Sequence, residues 1–326
     1  MPKVLITTVP FGKKDKFPIE LLKNNSIDYL INPLNRKLKP EDLKKLIPDV
    51  DAIIAGTEII NQDVLNSANR LKLISRVGIG LDGIDLNYCS KKNIRVSYTP
   101  EAPGPAVAEM TIGLIIALLR HLHVANSQMH LGKWNRHFGK RISEITIGLI
   151  GVGRIGARVL RRLKVFGTPE ILLNDIMPDH SIDGSFKVKW TTKEEIFKNA
   201  DLISLHIPLT PKTKNMITAK ELYCMKKDAF IINTSRGGII NETDLYEVLK
   251  KGHLSGAAID VFENEPYGGP LKNIERCFLT SHMGSMSEDC RTRMEIEATE
   301  EIVRYFENKK LNNLVPESEY LLQKNR

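Results

Sequence analysis

Short strand-like runs, several of them apolar throughout, recur nearly from end to end of the chain, separated by stretches with helical patterning. They are Lys3–Thr7, Ala52–Ala55, Leu71–Arg76, Ile94–Tyr98, Thr146–Ile150, Ile171–Asn174, Leu202–His206, Ala229–Asn233 and Gly256–Val261. A strand apolar on both sides is covered on both faces, and helices between such strands make the crossovers of a parallel sheet. The pattern therefore predicts an α/β protein with doubly wound parallel sheets. Thr192 with Glu195, and Thr218 with Glu221, have the spacing of capping boxes at helix starts. A chain of 326 residues suggests two domains, or three.

The alternation breaks once, at an apolar helical stretch from Pro105 to about Gln128 whose apolar surface exceeds one stripe. We take residues 1–100 as one α/β unit and 101–290 as a second. The remaining residues, 291–326, belong to a final helix that begins near Ser287 and returns to the first unit. The longest apolar run, Met110–Leu119, falls short of the roughly 18–20 residues a bilayer needs. No leader precedes the first strand, so the expected location is the cytoplasm. Cys89, Cys224, Cys277 and Cys290 lack the spacing of a zinc site or a disulfide framework. The net charge of +8 favours anionic ligands, but the basic residues are dispersed, which argues against a nucleic-acid partner.

Two glycine patterns follow strands. In the first, Gly151 makes a tight turn, Gly153 lets the backbone approach a pyrophosphate, and Gly156 brings helix against strand. Asp175 closes the next strand, where an acid holds ribose hydroxyls and repels a 2′-phosphate, which favours NAD over NADP. The second pattern, Gly78, Gly80 and Gly83, has no acid on its following strand. It reads as a tight turn or as a loop whose N–H groups bind an anion such as a carboxylate.

Three further segments contain Arg236, Glu265 and His282. Taken singly, they could be a surface cation, a loop acid before proline and a loop histidine. Together, beside a dinucleotide site, they fit hydride transfer from a 2-hydroxy acid. A histidine exchanges the hydroxyl proton, a carboxylate fixes its tautomer, and a guanidinium binds the substrate carboxylate through two hydrogen bonds.

The chain resembles the D-isomer-specific 2-hydroxyacid dehydrogenase family, in its phosphoglycerate dehydrogenase-like branch. The likeness rests on the Arg76–Asp85 loop, Ala106–Glu109, Gly132–Trp134, Gly148–Gly156, Leu205–Thr210 and the Arg, Glu and His segments in family order. It implies a Rossmann NAD-binding domain inserted into a flavodoxin-like substrate domain. It also implies Arg236 as the substrate-orienting arginine, Glu265 as the partner of the histidine and His282 as the acid/base. Asp260 would hold the nicotinamide carboxamide. Further cofactor contacts would come from Arg154, Ile155, His206, Pro208, Thr213 and Thr234, and the backbone of Val77, Gly78, Ile79 and Gly80 would bind a small-molecule carboxylate. A homodimer through the NAD-binding domains, with the helix near 105–128 at its interface, is implied as well.

The substrate implied first is 3-phosphoglycerate. Residues 53–61, where relatives committed to it often carry a base, hold none here and contain Glu58, and no regulatory domain follows the last helix. Hydroxypyruvate or glyoxylate reduction is the nearest alternative. A non-catalytic NAD-sensing scaffold, like the co-repressors that resemble this family, is another.

Overall fold

The computed structural model describes residues 1–167, 169–185 and 187–324. The chain forms two compact units, the first of residues Met1–Pro103 and Met286–Arg326 and the second of Gly104–Ser285. These junctions lie three residues after and five residues before the sequence-derived boundaries at 100 and 290, because each sits just ahead of a helix that belongs wholly to one unit.

The first unit begins β1 (Lys3–Ile6), α1 (Phe17–Asn24), β2 (Asp28–Ile31), α2 (Pro40–Leu46), β3 (Ala52–Ala55), α3 (Gln62–Asn66), β4 (Leu73–Arg76), α4 (Leu86–Lys91) and β5 (Arg95–Tyr98). All pairings are parallel, in the order β2-β1-β3-β4-β5. This is the flavodoxin-like winding, with helices on both faces. β3 and β4 are buried along their whole length. β2, at the sheet edge, exposes three of its four residues, so it lacks the continuous burial that marks the central strands.

The second unit runs α5 (Gly104–Leu119), α6 (Leu122–His130), β6 (Thr146–Ile150), α7 (Gly156–Leu163), β7 (Glu170–Asn174), β8 (Val188–Trp190), α8 (Lys193–Asn199), β9 (Leu202–Leu205), α9 (Ala219–Cys224), β10 (Phe230–Asn233), α10 (Glu242–Lys250), β11 (Gly256–Ile259) and β12 (Cys277–Leu279). Its parallel sheet has the order β12-β11-β10-β9-β6-β7-β8. The strand order reverses between β6 and β9, and the crevice beyond their carboxyl ends is where such sheets bind ligands. Two apolar layers cover the sheet, one with Ile203, Ile231 and Ala257 and the other with Ile147, Leu202 and Ile232.

The helical stretch expected near 105–128 is two helices. His121 adopts φ 52° between them, and the axes bend by 67°. α5 packs on α7, β10 and β11, and no single helix among the described residues is long and apolar enough to cross a membrane. Thr218 and Glu221 form the full capping box. At α8 the box is half made: Thr192 accepts from the Glu195 N–H, but the Glu195 carboxylate turns to Asn199 instead of returning to the cap.

The chain returns to the first unit as α11 (Glu288–Phe306) and α12 (Glu317–Lys324). α11 packs on β3, β4 and α1, and Ser75 Oγ donates to the Ala298 carbonyl at 2.8 Å.

Candidate active site

Glycines shape the turn after β6. Gly151 has φ 93°, and a Cβ there would lie 2.5 Å from the His206 carbonyl oxygen. A Cβ on Gly156 would lie 2.0 Å from the Gly151 carbonyl oxygen, so the start of α7 can approach the strand only without a side chain. Gly153 differs: a Cβ there meets no atom within 4 Å, so protein packing does not demand its absence. The N–H groups of Gly153, Ile155 and Gly156 donate to no group among the described residues. A glycine open on its outer side, next to undonated N–H groups, is a cradle that a pyrophosphate fits.

Asp175 follows β7. Its Oδ2 accepts from the Val152 N–H at 2.7 Å and its Oδ1 from the Met177 N–H at 2.9 Å, which places the carboxylate beside the glycine turn. Pro208 and Thr213 close a small turn after β9, where the Thr213 hydroxyl donates to the Pro208 carbonyl at 2.7 Å. The Thr234 hydroxyl is buried against that of Thr111 at 3.0 Å. Arg154 is exposed at the start of α7 and Ile155 is half-buried behind it.

His206 lies under the glycine turn with Nε2 2.9 Å from Ser204 Oγ, and its Nδ1 has no partner among the described residues. Desolvation pushes the imidazole from 6.5 down to about 4. The folded chain therefore binds fewer protons than the unfolded chain between those values, and stability falls as pH drops through that window. We expect His206→Gln to flatten this acid limb by about 3 kcal/mol in denaturant titrations at successive pH values. An acid limb identical to wild type would show that His206 is not its source.

The acid/base candidates meet on the loops beyond β10, β11 and β12. His282 Nδ1 lies 3.0 Å from both Glu265 oxygens. Because a carboxylate only accepts, Nδ1 carries the proton and Nε2 points away from the acid. The Phe262 N–H donates to Glu265 Oε1 at 3.2 Å, which fixes the acid in turn. Arg236 is half-buried, with one guanidinium nitrogen donating to the Ser235 carbonyl at 2.7 Å. Asn233 organises that loop, accepting from Ser235 and donating to the Arg236 carbonyl at 2.8 Å. A Cβ on Gly237 would lie 1.9 Å from the Phe262 carbonyl carbon, so this glycine lets the Arg236 loop close on the loop that holds Glu265.

Asp260, 1% exposed, does more than the sequence shows. Its carboxylate accepts from Thr280 Oγ1 at 2.6 Å, from the Met283 N–H at 2.7 Å and from the Gly284 N–H at 2.9 Å. Its carbonyl accepts from the His282 N–H at 2.8 Å. Three of the roughly four carboxylate acceptor positions thus hold the loop on which His282 sits at φ 54°. Thr280, Asn233 and Gly237 escaped sequence reasoning, since their contribution lies in loop contacts between distant segments.

In the first unit, the Val77–Gly80 loop follows β4. The Val77 N–H donates to the Ala55 carbonyl at 2.9 Å and the Gly78 N–H to Thr99 Oγ1 at 2.8 Å. The expectation that all four backbone groups serve a carboxylate is therefore narrowed. The N–H groups of Ile79, Gly80 and Leu81 have no acceptor among the described residues.

A profile described as D-isomer specific 2-hydroxyacid dehydrogenase, NAD binding domain, matches residues 112–284. The chain belongs to the D-isomer-specific 2-hydroxyacid dehydrogenase family. As a member of it, the chain is an NAD-dependent oxidoreductase, and its second unit is the family's NAD-binding domain. It is 34% identical to a hydroxypyruvate reductase of Thermotoga maritima over 89% of this chain and 95% of that protein. It is 36% identical to a D-3-phosphoglycerate dehydrogenase of Methanocaldococcus jannaschii over 85% of this chain, which spans about half (54%) of that longer protein. A glyoxylate reductase from Paecilomyes thermophila superposes with a TM-score of 0.84 at 27% identity, covering 97% of this chain and 99% of that one. Relatives of the dehydrogenase are thus divided over the substrate.

Proposed function

We propose that this dehydrogenase interconverts a D-2-hydroxy acid and its 2-oxo acid, with His282 as the acid/base. The observation that carries the reading is the His282–Glu265 pair on the strand-end loops of the NAD-binding domain. NAD, when bound, accepts or supplies the hydride. In oxidation His282 Nε2 takes the C2 hydroxyl proton, while Glu265 holds the ring through Nδ1–H. In reduction the same nitrogen returns the proton to the forming alkoxide. Arg236 orients the substrate carboxylate by its planar fork, and the Ile79–Leu81 backbone offers further donors. The cradle at Gly153–Gly156 holds the pyrophosphate and Asp175 the ribose.

For the substrate we place hydroxypyruvate and glyoxylate ahead of the phosphorylated acid that the branch resemblance puts first. The loop after β3 pairs with the carboxylate loop, Ile60 bridging to Ile84, and it carries buried Glu58 rather than a base. Thr7 Oγ1 and the Gly56 N–H donate to this carboxylate. Residues 53–61 thus offer a phosphate an anion and no cation of their own, which disfavours it. The likeness to the Methanocaldococcus protein supports 3-phosphohydroxypyruvate as the second reading. NADH consumption with glyoxylate, hydroxypyruvate and 3-phosphohydroxypyruvate tests both. Highest kcat/KM for an unphosphorylated acid supports our order, the phosphorylated acid reverses it, and a flat trace with all three overturns the catalytic reading in favour of an NAD-sensing scaffold.

We also propose a homodimer built on the second unit. Leu122 and Met129 of α6 are each 51% exposed, and Leu131, Trp134 and Phe138 of the following segment are 70%, 79% and 100% exposed. Apolar area on this scale favours a covered face, and it lies on α6 and residues 131–138 rather than on α5. Sedimentation at twice the chain mass is the expected result, and sedimentation at the mass of one chain contradicts it.

A further inference from the structure

The carboxylate-binding loop of the first unit is built from backbone groups, so its function depends on which way each peptide faces. In a trans peptide the N–H points opposite to the C=O. The Gly78 carbonyl accepts from the Thr99 N–H at 3.1 Å, which turns the Ile79 N–H away from Thr99. The Gly80 carbonyl accepts from Arg76 Nε at 3.1 Å, which turns the Leu81 N–H away from the guanidinium. Arg76, 8% exposed, also donates to the Val77 carbonyl, and a Cβ on Gly78 would lie 2.9 Å from it. The loop is thus held from beneath by a cation and by the reciprocal pairing of Gly78 with Thr99, which is 0% exposed.

A third hold comes from the far end of the chain. Gln323, on the last turns of α12, is 8% exposed, and its amide makes three bonds. Nε2 donates to the Leu81 and Ile84 carbonyls, both at 3.0 Å, and Oε1 accepts from the Leu86 N–H at 3.0 Å. Only one amide orientation satisfies two carbonyls and one N–H. The Leu86 N–H is the first of α4 and has no partner within that helix. Gln323 therefore joins the end of the loop, Leu81, to the start of the helix that follows it, and nothing about a tail glutamine more than 200 residues away marks it in the sequence.

We propose that Gln323, with Thr99 and Arg76, is a positioning residue for substrate binding, so that the C-terminal helix sets affinity for the 2-oxo acid carboxylate. This rests on the dehydrogenase reading given above. The loop would lose its peptide orientation without Gln323, while the NAD-binding domain would be untouched.

The test compares Gln323→Leu with wild type and with Leu321→Ala, a change at a half-exposed position of the same helix. At saturating NADH we expect Gln323→Leu to raise KM for the preferred 2-oxo acid, and the inhibition constant of oxamate, about ten-fold, with kcat changed less than about three-fold. NADH affinity and the Leu321→Ala constants should match wild type. Thr99→Val should act in the same direction as Gln323→Leu, and Thr99→Ser, which keeps the hydroxyl, should restore wild-type KM. Unchanged KM and oxamate inhibition in Gln323→Leu would overturn the proposal. So would a parallel loss of KM, kcat, NADH affinity and melting temperature, the pattern of general destabilisation. If wild type turns over no 2-oxo acid, the dehydrogenase reading fails by itself. Amide exchange then decides the positioning role: about ten-fold faster exchange at residues 79–86 in Gln323→Leu supports it, and unchanged exchange overturns it.

Discussion

His282→Ala is expected to lower kcat for 2-oxo acid reduction about 10³-fold, the usual worth of a positioned general acid, while NADH affinity stays within about three-fold of wild type. The imidazole is the group whose Nε2 is free to exchange a proton once Nδ1 is committed to Glu265. Alanine removes that proton route but leaves the glycine turn and Asp175 as they are. Glu265→Gln should show a smaller loss, because the amide still meets the ring but offers an N–H as readily as an oxygen. It no longer fixes the proton on Nδ1. Steady-state kinetics and NADH fluorescence titration check both variants. A His282→Ala enzyme with wild-type kcat would remove His282 from the chemistry.

The second large effect is expected from Asp260. Asp260→Ala removes one acceptor from three donors in a buried setting, each costing about 1–3 kcal/mol if left unpaired, and it releases the loop that carries His282 at positive φ. We expect kcat to fall about 10²-fold, through misplacement of the imidazole rather than its loss, with a lowered melting temperature. NADH affinity should change less than kcat. Calorimetry and paired kcat and NADH titrations check this. If NADH affinity fell as far as kcat, the carboxylate would act chiefly on the nicotinamide, as the family resemblance implies, and not on the loop.

The central strands were legible because each is buried along its whole length and therefore mostly apolar: β3, β4, β9, β10 and β11 stand out in the sequence for that reason. Three of the four edge strands were not: Asp28–Ile31 and Val188–Trp190 mix exposed and half-buried residues, and Cys277–Leu279 is too short to separate from a loop by pattern. The break at His121 was also invisible, since Leu122 and Val124 resume an apolar spacing after Leu118 and Leu119 and a left-handed histidine carries no sequence signature.

At the site, residue type and order were enough to select Arg236, Glu265 and His282, because their chemistry is specific to proton transfer and carboxylate binding. The supports were hidden. The resemblance assigns Asp260 to the nicotinamide carboxamide, and only coordinates show that its two oxygens hold the histidine loop. Gln323 and Thr99 act through backbone peptides far away in sequence, and no residue type predicts that. The turn glycines divide the same way. All three of Gly151, Gly153 and Gly156 were visible, yet the structure is what distinguishes the two demanded by packing from Gly153, which packing leaves open.

The most direct test of the account is where the hydride goes. Reduction of hydroxypyruvate with NADH carrying two deuterons at C4 of the nicotinamide, in wild type and in His282→Ala, should place deuterium at C2 of the D-2-hydroxy acid in the first and yield almost none in the second. An L-configured product, a product without deuterium at C2, or equal yields from the two enzymes would contradict it.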